Sequence, residues 1–406
     1  MKYFVLILFV LTSPLLAYAD SNVTPGQWAS ETTGGNLAYQ LLKPPTAQNP
    51  SLPLVIYLEN LPVERIGQES NESIIGSLLK AGDLVMVLDY AKNPAAKVPT
   101  LDSDTLKLRS DLFAKKLLAD QAIDLSHVFI LAEGCQLKRD VSFCVDGKRN
   151  LGMDVIYPSH PKRAVGTIIE FSCDNQDRMG MYSLVFCTDT TIDTAGAAGF
   201  AVAMADHPVA APYKGFDPLP ECGYKLKAAI RTLRSLQEEM GVNGKIGVVG
   251  FSRGSGMALL LAAINDREEF ENEGAWIGSG SAPGVDSSVQ AAVVMSGRFD
   301  YLHLIPADKM IPRYNKMWGS ITNHEEVWRK QSAITYVTTN LPPLFLTINV
   351  SEGADARHHM EVLRQRLDEL HLSYQYEPET EPRGHKMPVD KVILENIRKY
   401  LDQRLN

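Results

Sequence analysis

Short apolar runs alternate with longer amphipathic segments along most of the chain, a pattern typical of strands that alternate with helices. In the C-terminal half, the runs at 246–249 and 344–350 predict buried strands. Two stretches have helical spacing, 257–264 and the set Met360, Leu363, Leu367 and Leu370. A short strand at 373–376 and a last helix from Val389 complete the pattern. This order predicts an α/β fold.

The N-terminal part has an alternation of its own. Apolar runs at 54–58, 84–88 and 128–131 predict three strands, and helical segments separate them around 74–79 and at Leu108, Leu112 and Leu118. A βαβαβ order requires a parallel sheet with right-handed crossovers. We therefore expect a smaller accessory α/β domain over residues 25–134. A hairpin from Gln136, with its turn at Asp146-Gly147, is expected to open a second domain over residues 136–406.

Candidate chemistry first enters at Gly250-Phe251-Ser252-Arg253-Gly254, which lies between a predicted strand and a predicted helix. In that context G-x-S-x-G forms a nucleophile elbow, in which a sharp turn exposes the serine hydroxyl. The alternative is an ordinary turn rich in glycine and serine. We interpret Ser252 as a catalytic nucleophile.

A serine nucleophile requires a histidine base and a carboxylate that orients the base. Asp355 follows the predicted strand at 344–350, and His385 lies in a loop between the last strand and the last helix. The chain order Ser, acid, His is that of the elbow enzymes. Taken singly, such an aspartate is more often a turn former or helix cap, and such a histidine is usually solvated. Asp300, after the strand predicted at 291–295, is the rival acid, with a local salt bridge to Arg298 as its ordinary role.

With these residues in place, the chain from about residue 151 resembles an α/β-hydrolase of the carboxylesterase type. It is similar to the group of dienelactone hydrolases, feruloyl esterases and acetylxylan esterases. Besides the triad, four segments carry the resemblance, namely 151–158, 199–206, 219–240 and 332–343. The resemblance implies an α/β-hydrolase fold, preceded here by the accessory domain.

The resemblance also implies an activity, that of a serine carboxylic-ester hydrolase that forms an acyl-enzyme on Ser252 and needs no cofactor or metal. The expected substrates are acetyl or feruloyl esters of polysaccharides. The backbone of Arg253, with that of Ser172 or Cys173, is expected to hold the oxyanion. The family's His-Gly turn is missing there, since residues 167–170 run into Phe171-Ser172-Cys173. A serine peptidase of the same fold and an inactive hydrolase-like binding protein remain alternatives.

Composition and charge fit a soluble enzyme and exclude some partners. The chain has 406 residues, 45% of them hydrophobic, and a net charge of −8. This charge argues against nucleic acid or an anionic membrane as partner. Residues 1–19 predict a signal peptide, because Lys2 precedes an apolar run that ends in Ala17-Tyr18-Ala19. We expect export, a mature chain from Asp20 and no stable membrane insertion.

Five cysteines occur in a chain that we expect to be exported, where disulfides form readily. Cys173 with Cys187 would close a loop beside the oxyanion turn, and Cys135 with Cys144 would join the entry to the catalytic domain. Buried free thiols are an equal alternative, and the odd number leaves at least one cysteine unpaired. His358 and His359 are adjacent on a predicted helix and point apart, so they make a weak metal site.

Two segments between the triad residues are expected to cover the active site. One spans 268–286, and the other spans 302–330 with Tyr314, Trp318 and Trp328. Segments of this kind set substrate choice in a fold whose core chemistry is constant. Their aromatic residues are expected either to pack with one another or to line a sugar-binding cleft.

Overall fold

The structure is a computed structural model. It describes residues 23–29, 36–45, 51–59, 71–89, 111–112, 118–132, 134–146, 149–159, 161, 163–171, 199–206, 219–271, 282–386 and 390–406.

The larger sheet has eight strands in the order β13-β12-β11-β10-β8-β9-β7-β6. Their bounds are β6 Cys135–Asp146, β7 Arg149–Pro158, β8 Val165–Phe171, β9 Ala201–Ala205, β10 Val242–Phe251, β11 Ala291–Met295, β12 Leu344–Thr347 and β13 Tyr374–Tyr376. The six strands from β13 to β9 in this order pair in parallel with one another. Strand β7 pairs antiparallel with β9, and β6 and β7 form an antiparallel hairpin at one edge. The sheet is mainly parallel, as the sequence predicted.

Helices cover both faces of this sheet. Over the whole chain, the described helices are α1 Asn71–Lys80, α2 Leu219–Ser235, α3 Gln237–Met240, α4 Arg253–Ala263, α5 Ile311–Trp318, α6 Ile321–Gln331, α7 Ala354–Glu369 and α8 Lys391–Leu405. Two short 3-10 turns add Glu268–Phe270 and Ala333–Tyr336. Helices α2, α4 and α7 pack on one face of the sheet and α8 packs on the other.

The central strand shows why these segments read as unbroken apolar runs. In β10, Val248 belongs to the core under α4, whereas its neighbour Val249 faces α8. Successive side chains of a strand point to opposite faces, so a sheet buried on both sides requires apolar residues at every position.

The smaller sheet has five strands in the order β1-β2-β4-β3-β5. Their bounds are β1 Val23–Ala29, β2 Asn36–Leu42, β3 Leu52–Glu59, β4 Leu84–Asp89 and β5 Ile123–Ala132. The three expected strands are β3, β4 and β5, and they are parallel. The sequence did not predict the antiparallel hairpin of β1 and β2, which extends the sheet beyond β4.

The two sheets meet closely. The smaller sheet ends at Ala132 and the larger begins at Cys135. Ile156 and Val202 of the larger sheet belong to the same apolar cluster as the smaller sheet's core. Between the two sheets, Arg139 forms an ion pair with Asp83, whose side chain is fully buried, with 2.5 Å between Nη1 and Oδ1.

The cysteine prediction needs a correction. Cys135, Cys144 and Cys222 are buried, and Cys135 is a free thiol. Cys135 and Cys144 lie nine residues apart on the single strand β6, which separates them by about 30 Å at the rise of an extended chain. A disulfide requires Cα atoms within about 7 Å. Cys173 and Cys187 lie outside the described residues.

Among the described residues, none of the helices has the length and apolarity needed to cross a bilayer.

Candidate active site

Ser252 occupies a strained turn between β10 and α4. Its backbone has φ 54° and ψ −117°, a conformation that costs about 1–3 kcal/mol for a residue with a side chain. The turn is held by a hydrogen bond from Ser252 N to Met295 O at 2.9 Å. The strain places the hydroxyl at the carboxyl end of the sheet, as the elbow motif predicts.

The two glycines of the motif are required by close backbone contacts. A Cβ atom on Gly250 would lie 2.1 Å from the carbonyl oxygen of Gly254, and one on Gly254 would lie 3.0 Å from the carbonyl oxygen of Phe171. Glycine therefore lets the helix start directly against two strands.

The structure brings Ser252 and His385 together, although 133 residues separate them in the chain. His385 Nε2 lies 2.9 Å from Ser252 Oγ. The imidazole stacks on the ring of Phe251, with centroids 5.0 Å apart and an angle of 29° between the planes. The ring is therefore in position to accept the hydroxyl proton.

The acid beside His385 is Glu352, so the expectation that Asp355 fills this position is wrong in this geometry. Both carboxylate oxygens of Glu352 lie 3.0 Å from His385 Nδ1. The Glu352 side chain is only 2% exposed. It lies on the loop after β12, in a tight turn in which Glu352 N donates to Asn349 O.

Asp355 instead lies in the first turn of α7, where its Oδ2 contacts Arg298 Nη2. An acidic side chain in the first turn of a helix is stabilised by the helix dipole. Arg298 also contacts Asp308, so it bridges α7 and the segment that leads into α5. The predicted pair of Arg298 with Asp300 is not the one formed.

Asp300 does not reach His385 either. It is 4% exposed, and its Oδ2 lies 2.6 Å from Nδ1 of His303. Its Oδ1 accepts a hydrogen bond from Leu302 N at 2.8 Å. Asp300 therefore shapes the loop after β11.

The electrostatics of the site favour the protonated imidazole. The hydrogen bond to Glu352 raises the pKa of His385 above its usual value, and partial burial opposes this shift. The charges of Glu352 and Asp355 raise this pKa further, whereas Arg298 lowers it. A carboxylate that stabilises the imidazolium makes the ring a stronger base toward the serine.

One expected oxyanion donor is described. Arg253 is the first residue of α4, so its backbone N–H lies at the positive end of a helix, where a developing negative charge is stabilised. The other expected donors, Ser172 and Cys173, lie outside the described residues.

A cavity of about 480 Å³ opens beside Ser252. Its lining includes the catalytic candidates Ser252, Glu352 and His385 and the aromatic residues Tyr301, Tyr314 and Trp318. Tyr314 and Trp318 stack with centroids 4.9 Å apart and planes at 3°. The predicted aromatic segment at 302–330 therefore both packs internally and lines the cavity.

Trp328, the third predicted aromatic residue, only packs. It is 1% exposed, and its Nε1 donates to Gly319 O at 3.0 Å. Of the other expected cover, 268–286, the part at 272–281 lies outside the described residues.

The described residues contain no group of three or more His, Cys, Asp or Glu side chains that could hold a metal ion. On α7, His359 is buried and accepts from Asp300 N at 3.4 Å, whereas Nε2 of His358 lies 2.7 Å from His303 O. The two rings have separate partners, as their adjacent positions on a helix predict.

Sequence reasoning named the right loop and chose the wrong carboxylate within it. Gly353 is the N-cap of α7. Extending the helical pattern of Met360 and Leu363 back to this glycine would have placed Asp355 inside the helix. Glu352 lies two residues before the first residue of the helix, so it was the carboxylate left on the loop.

Comparisons with known proteins agree with this fold. Residues 174–352 match the family model BD-FAE, less than half of the chain, and the matched region includes Ser252 and Glu352. No curated protein gave a match to the sequence.

Three solved structures share the architecture. A truncated form of a carbohydrate esterase from gut microbiota superposes with a TM-score of 0.52 at 18% identity, covering 66% of this chain and 95% of that one. A thermophilic esterase from the Planctomycetes species Thermogutta terrifontis gives 0.50 at 16% identity, covering 67% and 92%. A bifunctional GH43-CE protein of Bacteroides eggerthii gives 0.50 at 18% identity, covering 66% and 38%.

The structural likenesses establish the fold, and the family match falls on the segment that carries the nucleophile elbow and Glu352. Together they confirm the predicted resemblance to the serine esterases of the α/β-hydrolase superfamily and support a carboxylic ester hydrolase.

Proposed function

We propose that the protein is an exported serine carboxylic-ester hydrolase with Ser252, His385 and Glu352 as its catalytic triad. The observation that carries the proposal is the continuous line of contacts from Ser252 Oγ to His385 Nε2 at 2.9 Å and from His385 Nδ1 to Glu352 at 3.0 Å. An inactive binding protein has no need for this alignment, nor for the strained backbone of Ser252.

In the proposed reaction, Ser252 Oγ attacks the ester carbonyl carbon while His385 Nε2 takes the hydroxyl proton. Glu352 stabilises the imidazolium, and the N–H of Arg253 donates to the oxyanion. His385 then gives its proton to the leaving alcohol, which leaves an acyl group on Ser252. Water, deprotonated by the same imidazole, attacks the acyl carbon, and the imidazolium returns the proton to Ser252 Oγ as the bond from Oγ to the acyl carbon breaks and the carboxylic acid is released.

The proposed substrates are acetyl or feruloyl esters of polysaccharides. The cavity of about 480 Å³ is within the range of small-molecule sites, and its aromatic wall suits a planar acyl group. One similar structure is described as a carbohydrate esterase. Export is supported by the signal-peptide pattern of residues 1–19 and the proposed cleavage before Asp20.

The test is a hydrolysis screen of the chain from Asp20 on short acyl p-nitrophenyl esters, feruloyl esters and acetylated polysaccharides. Ser252→Ala should lower turnover by several orders of magnitude without changing the melting temperature by more than a few degrees. Ser373→Ala, at an exposed serine away from the cavity, is the matched control and should keep the wild-type rate. Ester hydrolysis by folded Ser252→Ala at more than a tenth of the wild-type rate would exclude Ser252 as nucleophile.

A further inference from the structure

Two loops must meet for His385 to reach Glu352. The acid loop, residues 348–353, follows β12, and the histidine loop, residues 377–386, follows β13. A parallel bridge between Asn349 and Glu379 starts the contact. Beyond this bridge the loops leave regular pairing, so side chains have to fix their separation.

The side chain of Asn349 links the two loops. It is 2% exposed. Its Nδ2 donates across the gap to Glu379 Oε2 at 2.9 Å and to Glu381 O at 2.7 Å, and its Oδ1 accepts from Arg383 N at 3.1 Å. Both amide hydrogens and the amide oxygen therefore bind the histidine loop.

The same oxygen of Asn349 holds the acid loop. It accepts from Ser351 N at 3.0 Å and from Ser351 Oγ at 2.6 Å. Ser351 Oγ in turn accepts from Gly384 N at 2.7 Å. Ser351 precedes Glu352 and Gly384 precedes His385, so the network ends one residue before each member of the acid–base pair.

Glu379 completes the network from the histidine side. It is 1% exposed, and its Oε1 accepts from Arg383 Nε at 3.0 Å. A buried carboxylate is stable only with such partners. The amide of Asn349 is one of them, and no aliphatic side chain can replace it.

We propose that Asn349 is a positioning residue that sets the separation of Glu352 and His385 by cross-linking the acid and histidine loops. This inference rests on the proposed function for its kinetic consequences, but its structural content, the contact between Glu352 and His385 Nδ1, can be measured without substrate.

The kinetic test compares Asn349→Ala and Asn349→Asp with Asn340→Ala on a p-nitrophenyl ester. Asn340 is exposed and its side chain donates to Asp266 on the surface, so its variant is the matched control. A displacement of about 1 Å between catalytic groups can lower the rate about a hundredfold. We expect Asn349→Ala to lower kcat by about this factor, per active site counted by organophosphate titration, with KM changed less than threefold.

A merely structural role would lower the number of titratable sites and leave kcat per site unchanged.

Positioning also predicts a shift of the pH profile. The hydrogen bond to Glu352 raises the pKa of His385, so a weaker contact should move the acidic midpoint of kcat/KM to lower pH. The charges of Asp355 and Arg298 also act on this ring and are unchanged in the variants.

The substrate-free test is the low-field proton NMR signal of His385 Nδ1–H, assigned by its loss in His385→Ala. It should be present in the wild type and in Asn340→Ala, and lost or shifted upfield in Asn349→Ala. Ser351→Ala, which removes the Oγ contacts to Asn349 and Gly384 but leaves the contacts of Asn349 to the histidine loop, is the milder variant if Asn349→Ala does not fold. It should lower kcat about tenfold, with the signal shifted in the same direction.

The inference would be overturned if Ser351→Ala and the folded Asn349 variants kept the wild-type kcat per site, the wild-type pH midpoint and an unchanged proton signal. If the signal responds as expected while Ser252→Ala keeps wild-type turnover, the positioning role stands and the proposed function fails.

Discussion

Glu352 and Asp355 lie three residues apart, and replacing each by its amide distinguishes their roles. Glu352→Gln keeps the shape of the side chain and removes its charge. Both oxygens of Glu352 lie 3.0 Å from His385 Nδ1. A carboxylate can only accept a hydrogen bond there, so Nδ1 has to carry the proton of the neutral ring. An amide can donate to that nitrogen and so stabilise the tautomer whose Nε2 holds the proton. This tautomer cannot accept the proton of Ser252.

The expected loss follows from this change of tautomer. Removing the orienting carboxylate of a triad lowers kcat by up to about ten-thousandfold, about 5.4 kcal/mol at 1.36 kcal/mol per tenfold. Asp355→Asn removes an ion pair with Arg298 in which the Asp355 side chain is 31% exposed. Exposed pairs of this kind contribute about 0–1 kcal/mol. We therefore expect Asp355→Asn to keep kcat within about fivefold of the wild type.

The assay is steady-state hydrolysis of a p-nitrophenyl ester by both variants, with active sites counted and melting temperatures measured. Each variant serves as the other's control, because both remove one negative charge and the two positions lie three residues apart. A loss of a thousandfold or more in Asp355→Asn, together with an active Glu352→Gln, would show that Glu352 does not orient His385. The acid would then be Asp355 in the working enzyme.

Three further outcomes follow from the structure. Because His385 must be neutral to act, kcat/KM should rise with pH through its raised pKa, and the midpoint for the residual activity of Glu352→Gln should lie lower. A Cβ on Gly250 would lie 2.1 Å from the carbonyl oxygen of Gly254, whereas one on Gly256 would lie 3.3 Å from the carbonyl oxygen of Arg298, so Gly250→Ala should lose activity and folding yield whereas Gly256→Ala keeps most of both. Burial raises the pKa of Asp83 to about 6, so the native state holds a proton that the unfolded chain releases near pH 4. Thermal unfolding should show stability falling as pH rises from 4 to 6, less so in Asp83→Asn.

The sequence could predict the elements whose pattern is imposed by burial. The segments 246–251, 291–295 and 344–346 of β10, β11 and β12 are apolar because both faces of the sheet are covered, and the glycines around Ser252 follow from close backbone contacts. Such local constraints are visible in one chain. They were sufficient to predict the fold class and to select Ser252 and His385, which the structure brings within 2.9 Å of each other.

The hairpin of β1 and β2 was missed because the segment Val23–Ala29 is mostly exposed, with only Trp28 buried. An edge strand of this kind gains its order from its partner strand, and its own apolar pattern is weak. The acid was missed for a related reason. Glu352 and Asp355 are both carboxylates after one strand, and only the start of α7 at Ala354 decides which of them stays on the loop.

Ser252 is proposed as the nucleophile of an esterase, and covalent labelling is the test of this proposal. The chain from Asp20 is treated with a chromogenic organophosphate, and the modified residue is located by mass spectrometry while ester hydrolysis is followed. We predict one adduct per chain on Ser252, loss of activity in proportion to labelling, and no adduct in Ser252→Ala. Full activity after complete labelling of Ser252, or stoichiometric inactivation through a different residue, would contradict the claim.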